Sequence, residues 1–196
     1  MAETTTGRRE RKKAQTRQAL ADAATRLFTE RGFDNVGVRE VAEAADVSLS
    51  TLFKHFPSKE ALVFDLDADI ESSLVAAVRD RAPGQSVLHA LRDHLERTRT
   101  AVPTDDPTFV LVESTPALRD YARRMWSRHE KALAAALAEA TGLAPDDLAV
   151  TGLARFALET PGLARASDDP ARAVRDLFAL LEQGWAATPL AREEDR

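Results

Sequence analysis

The chain contains no cysteine, which excludes disulfides, thiol nucleophiles, iron–sulfur clusters and thiolate zinc sites. Long apolar runs are missing too. The longest stretch free of Asp, Glu, Lys and Arg is Ala82–Leu91, ten residues, whereas a membrane-spanning helix needs roughly 20 mostly apolar residues. No apolar segment follows the basic, polar start MAETTTGRRERKKAQ, so no secretory signal and no membrane contact are expected, and a soluble, cytoplasmic protein is. Strict apolar alternation never lasts more than a few residues, which removes the strand signal. A Gly-rich phosphate loop and a Gly-x-Ser-x-Gly elbow are both absent. His89 and His94 would stand about 140° apart on a helix, so they cannot clamp one metal, and His129 has no near helical partner. With no convergent acid, base or nucleophile, no enzyme, no metal and no cofactor are expected.

What is present is an ordinary globular balance: 196 residues, 44% hydrophobic and 30% charged, with apolar side chains recurring every three or four residues. The net charge of −5 is uneven. Residues 1–60 carry 11 Lys/Arg against 9 Asp/Glu, and the remainder 16 against 23. Arg8, Arg9, Arg11, Lys12, Lys13 and Arg17 make the start especially basic. A basic head on an acidic body suggests a head that meets a polyanion.

The periodicity predicts an all-α chain of about nine helices. The first runs from about Lys13 to Arg31 and stops at Gly32. Short helices follow over Val38–Ala45 and from Ser48 to Phe56, the latter N-capped by Ser48 and ended by Pro57. Ser58 should cap a long helix to about Arg79. Others are expected from Ser86 to Arg99, around Phe109–Glu113, from Pro116 to Gly142, from Pro145 to Glu159 with a break at Thr160-Pro161-Gly162, and from Pro170 to Trp185. The expected domains are a basic flexible tail (1–12), a helix-turn-helix DNA-binding domain (13–58), a helical ligand-binding and dimerisation domain (59–187) and a polar tail (188–196).

The second and third helices are joined only by Asp46 and Val47, which suits a helix-turn-helix. With Leu52 and Phe56 facing the core, Ser50 and Lys54 point outward, and Thr51 and Phe53 sit on the shoulders. Lys54 can donate to guanine or phosphate, Phe53 and Leu49 can meet thymine methyls, and Lys59 with the amides after Ser58 suits a phosphate. The candidate DNA-binding set is Arg17, Arg39, Ser48, Leu49, Ser50, Thr51, Phe53, Lys54, His55 and Lys59. A plain helical hairpin in the core is the other reading, which an exposed Phe53 beside Lys54 and His55 disfavours.

The stretch GFDNVGVREVAEAADVSLSTLFKHFPSKEAL (Gly32–Leu62), with TRQALADAATRLFTERGF before it, strongly resembles the DNA-binding head of TetR-type transcriptional regulators. That resemblance implies a three-helix DNA-binding head and a larger helical domain that binds ligand and dimerises through its last two helices. It also implies that Thr51, His55 and Lys59 hold phosphates, while Leu49, Ser50, Phe53 and Lys54 read bases. Three positions depart from the pattern: Gly37 replaces a capping Thr, Asp46 the usual turn Gly, and Phe53 the commoner Tyr.

The C-terminal half, around Thr115-Pro116-Ala117-Leu118 and the last helix, loosely resembles TetR-type members with an acyl-CoA-like ligand domain. That implies a fatty, aromatic or acyl-CoA-like effector. The candidate ligand-binding residues are Leu66, Ile70, His94, Phe109, Tyr121, Met125 and Trp126. Arg119, Arg123, Arg124 and Arg128 mix with aromatics on one helix, a pattern that suits either an anionic ligand or a solvated basic face. Apolar stripes on the last two helices give the candidate dimer interface: Leu153, Ala157, Val174, Leu177, Phe178, Leu181 and Trp185. The expected protein is a homodimeric regulator, released from a pseudo-palindromic double-stranded operator by a small molecule and most often a repressor in the family. The rivals are a regulator with no small-molecule effector and a helical carrier or enzyme.

Overall fold

The computed structural model describes residues 3–65, 67–98, 106–165 and 167–183. Among them are nine α-helices and no strand: α1 (Glu3–Arg31), α2 (Val38–Ala44), α3 (Leu49–His55), α4 (Asp67–Arg79), α5 (Val87–Thr98), α6 (Pro107–Ser114), α7 (Pro116–Thr141), α8 (Leu148–Ala164) and α9 (Pro170–Gln183). A single 3₁₀ turn covers Glu60–Leu62. No described helix is long and apolar enough to cross a membrane.

The chain divides into two compact units, Met1–Asp67 with Asp105–Ala122, and Ala68–Thr104 with Arg123–Arg196. In the first, Leu20, Ala24 and Phe28 of α1 pack with Val41 and Ala42 of α2, Leu52 of α3, and Phe56 and Leu62 beyond it. Leu111 of α6 and Leu118 of α7 complete this core, and Phe28 meets Phe33 edge-on at 5.1 Å. In the second, Leu74 and Val78 of α4, Leu91 and Leu95 of α5, Leu133 and Leu137 of α7, Val150 and Ala154 of α8, and Phe178 of α9 share a separate core. Each burial removes apolar surface from water at about 25 cal/mol per Å², so both cores are held by the stripes that the periodicity marks.

Three expected boundaries are corrected. The first helix begins at Glu3 rather than Lys13, so residues 3–12, expected as a flexible tail, are helical. Arg, Lys, Glu, Gln and Ala are good helix formers even where no apolar face marks them. The long helix expected from Ser58 is interrupted. Ser58 Oγ accepts the Ala61 N–H at 3.3 Å, yet only the 3₁₀ turn follows, and α4 starts at Asp67. The break at Pro161 does not occur, because α8 runs through it to Ala164. Proline forfeits the bond to Ala157, but it lies in the last turn, where Thr160, Pro161 and Ala164 are all buried and Arg165 N–H still reaches the Pro161 carbonyl at 3.2 Å. Packing outweighs the one lost bond.

Candidate nucleic-acid interface

The turn between α2 and α3 is a Schellman closure. Val47 N–H bonds the Ala42 carbonyl at 2.9 Å and Asp46 N–H the Glu43 carbonyl at 3.1 Å. That geometry puts Asp46 in the left-handed region, φ +53°, where glycine carries no Cβ penalty and aspartate a modest one. At the other end of α2, Gly37 offers no side-chain cap. Instead the Glu40 carboxylate accepts the Gly37 N–H at 2.9 Å and pairs with Arg31 at 2.7 Å. Those two contacts, the backbone bond first, hold the Glu40 carboxyl below its usual value.

α3 is fixed at both ends. Ser48 Oγ accepts the Thr51 N–H at 3.1 Å and shares hydrogen bonds with the hydroxyls of Ser50 (2.9 Å) and Thr51 (2.8 Å). At the C-terminus, Arg17 donates to the His55 carbonyl at 3.1 Å and to the Asp65 carbonyl at 2.6 Å. Its Nε pairs with the Asp65 carboxylate at 2.7 Å, and the guanidinium lies 4.5 Å from the centre of the Phe56 ring. Between these anchors Leu52 is fully buried, while Ser50, Phe53 and Lys54 are exposed. Phe53 is 48% exposed. Lys54 and Arg39 are exposed and have no hydrogen bond or ion pair among the described residues.

The candidate residues thus fall into two groups. Ser50, Phe53, Lys54 and Arg39 face solvent, with Leu49, Thr51 and His55 half-buried beside them. Ser48, Arg17 and Lys59 are engaged within the head. Lys59 Nζ donates to the Phe33 carbonyl at 2.5 Å and sits 4.2 Å and 5.5 Å from the Phe33 and Phe28 ring centres. Burial pulls its pKa below the ordinary lysine value, against the pull of Asp34, Glu60 and Glu40. Burial also lowers His55, helped by the charges of Arg17 and Lys13. A neutral imidazole still offers one N–H to a phosphate. The engagement of Arg17 with Asp65 has no local signature, because the two lie 48 residues apart in sequence.

The ligand candidates are dispersed. Leu66 lies outside the described residues. Phe109 and Tyr121 belong to the first unit, where Tyr121 stacks on Phe64 at 5.2 Å. Ile70, His94, Met125 and Trp126 belong to the second. There a cleft of about 380 Å³ is lined by Ser73, Ala77, Asp80, Arg81, Gln85, His94 and Arg97 among others. Of the six candidates among the described residues His94 alone lines it, buried and 3.3 Å from Ser73 Oγ. His129 is buried with its Nε2 3.9 Å from the Glu71 carboxylate and edge-on to Trp126. Sequence spacing hides that carboxylate, which arrives from α4. No group of His, Asp and Glu among the described residues could hold a metal ion.

The expected dimer face needs correction. Ala157, Val174 and Phe178 are buried in the chain's own second core, where Phe178 meets Phe156 edge-on at 5.4 Å. They leave almost no surface of their own for a partner. A stripe as broad as that of α9 has a centre and an edge, and the centre turns inward. Leu153 and Leu177 are half-buried, Leu181 is exposed, and Trp185 lies outside the described residues. The exposed large apolar residues of α8 are Leu148 (86% exposed) and Leu163 (59%), spaced with Gly152, Arg155 and Glu159 along its outer face.

Comparison with known proteins agrees with this architecture. A family model described as "Bacterial regulatory proteins, tetR family" matches residues 20–66, and one described as "MftR C-terminal domain" matches residues 81–187. The chain is 32% identical over 152 residues to the HTH-type transcriptional regulator TcmR of Streptomyces glaucescens, covering 72% of this chain and 67% of that protein. It is 29% identical over 136 residues to the uncharacterized HTH-type transcriptional regulator Rv1255c of Mycobacterium tuberculosis, covering 65% of this chain but only 63% of that one, under two thirds of its length. In fold it is similar to Salmonella enterica GusR, with a TM-score of 0.55 at 22% identity over 87% of this chain and 93% of that one.

Proposed function

The chain belongs to the TetR family of DNA-binding transcriptional regulators, and from that premise we propose that it acts as a homodimeric repressor on a two-fold symmetric operator, released by a small, partly apolar effector. The observation that carries the reading is the outer face of α3. An exposed aromatic ring and an unpaired lysine stand on a short helix fixed at both ends, which is what reading base edges in a major groove requires. Thr51 and His55 flank that face as phosphate contacts, and Arg39 adds a free cation. Lys59 supports the head from within. Such a regulator works in the cytoplasm, where the chromosome lies.

Dimerisation is supported by the exposed Leu148 and Leu163 of α8 and Leu181 of α9, apolar side chains left at the surface of helices whose inner stripes are buried. Two recognition helices about 34–36 Å apart would then meet successive major-groove faces. The effector reading, toward fatty, aromatic or acyl-CoA-like molecules, rests on the resemblance of the C-terminal half to ligand-binding TetR-type domains, beside which residues 81–187 match an MftR C-terminal domain model. Any effector acts only through its different affinity for the DNA-competent and released states. A second reading, a regulator with no small-molecule effector, is favoured by the dispersal of the apolar candidates and the polar lining of the cleft.

The test is selection from a random duplex pool at moderate salt, followed by challenge of the retained complex with a panel of fatty acids, aromatic acids and acyl-CoA esters. A two-fold symmetric motif and release by one compound class are expected. A motif without release favours the second reading. No enrichment overturns the DNA-binding role of α3.

A further inference from the structure

We infer that the first turns of α1 form a cationic arm that binds the phosphate backbone of the operator duplex beside the recognition helix, which rests on the DNA-binding reading above. From residue 7 to residue 15 every side chain is exposed, so these turns contribute nothing to a core. They carry Arg8, Arg9, Arg11, Lys12 and Lys13 against the single acid Glu10. Arg8, Arg9, Lys12 and Lys13 have no hydrogen bond or ion pair among the described residues, and Arg11 bonds only the Gly7 carbonyl.

The arrangement disfavours the helix itself. Arg8 with Lys12, Arg9 with Lys13 and Lys13 with Arg17 are like-charge pairs four apart, each weakening an isolated helix. A local rule broken three times without internal compensation marks a surface whose opposite charge comes from outside. At about 100° per residue the five cations fill a sector of roughly 200°, with Glu10 on the far side. Arg9 and Lys13 share the direction of Leu20, Ala24 and Leu27, which face the head's core. The arm therefore continues the face of α1 that meets the core shared with Leu52 of α3. One contact fixes that placement: Arg17, one turn after Lys13, donates to the last carbonyl of α3.

From Arg17 back to Arg8 the helix rises roughly 14 Å, the axial span of about four base pairs. Only Gly7 and Ala14 are apolar between residues 7 and 15, so the arm has no face to insert into a lipid surface. On the DNA-binding reading above, duplex phosphate is the polyanion that α3 brings within reach of the arm.

The test uses the full chain with Arg8→Ala, Arg9→Ala, Lys12→Ala and Lys13→Ala combined. None of the four side chains is buried, and alanine is the best helix former, so fold and helicity should persist. Affinity for the selected operator and for a scrambled duplex is measured from 50 to 300 mM salt. The slope of log K against log salt should become shallower by up to about 3.6 per head, at roughly 0.9 per lost phosphate contact. Affinity should fall at least about tenfold on both duplexes, leaving the preference between them unchanged. Arg8→Lys with Arg9→Lys should restore affinity and slope. An unchanged slope overturns the arm, as does loss of adsorption to acidic vesicles with DNA binding intact. Phe53→Ala with Lys54→Ala separates the two readings. If that variant keeps full operator preference, the α3 assignment fails whatever the arm does.

Discussion

Arg17 on α1 donates to the backbone carbonyl of His55, the last residue of α3, across 38 residues of sequence. Helices end with orphan carbonyls that need a donor, and here the donor is one prong of a guanidinium whose other contacts hold Asp65. The C-terminal end of the recognition helix is thereby tied to α1 and to Asp65 in the segment after it.

Arg17→Ala should lower stability by about 1–2 kcal/mol, the range for hydrogen bonds to a charged group after discounting its partial exposure. Arg17→Lys should not restore it, because an ammonium cannot reproduce the fork. Operator binding should fall more than binding to random duplex, since a frayed α3 loses base contacts first. Thermal melting with parallel binding titrations checks this, and an unchanged melting temperature refutes the tie.

Asp46→Gly should stabilise the head by about 0.5–1 kcal/mol, relieving an aspartate at φ +53°. It should also tighten DNA binding, because it removes an anion from the turn that leads into α3. The midpoint of urea unfolding should rise. A lower midpoint would mean that aspartate is favoured there by a contact glycine cannot supply.

Lys54→Ala should relax preference at one base position of each half-site, at a cost of about 1–3 kcal/mol. Arg39→Ala should instead weaken all duplexes alike and reduce the salt slope by about 1. Sequencing the retained pool for each variant distinguishes the two effects. Identical profiles would reverse the division between reading and holding.

His55 sits below its ordinary pKa of 6.5, because burial and then the charges of Arg17 and Lys13 disfavour its charged form. As pH falls below 6.5 the unfolded chain takes up the proton first, so stability declines toward acid. A phosphate pulls the other way, and bound DNA should favour protonation. Affinity should therefore rise from pH 7.5 to pH 6 while stability falls, and His55→Gln should flatten both trends. A variant retaining the wild-type pH profile of binding would remove His55 from the interface.

If the chain pairs as proposed, Leu148→Glu with Leu163→Glu should convert dimer to monomer in sedimentation without lowering the melting point of each chain's own core. Val174→Ala should do the reverse, costing about 2 kcal/mol through a cavity while leaving any dimer face untouched. Dissociation by Val174→Ala alone would restore that residue to the interface.

The parts of the fold visible in the sequence are those written in short-range pattern. Ser48 and Pro57 bound α3, Leu52 and Phe56 face inward, and Phe53 and Lys54 face out, because caps and periodicity act within a few residues. The start of α1 was illegible since a helix exposed all round leaves no apolar period. The run of α8 through Pro161 was hidden because burial of Thr160 and Ala164 depends on tertiary neighbours. The inward turn of Val174 and Phe178 had the same cause. A stripe shows that a face is buried, not by which neighbour. Lys59 shows the limit most sharply, because its charge type suited a phosphate while the Phe33 carbonyl and two rings took it first.

The half-wet ring of Phe53 gives the free protein a calorimetric mark. Its remaining apolar surface can be dried only when α3 is seated fully among the bases. A loosely held complex on arbitrary sequence leaves it hydrated. Burial of apolar surface makes the heat capacity of binding more negative, so cognate and non-cognate complexes of equal affinity differ in how their binding enthalpy changes with temperature.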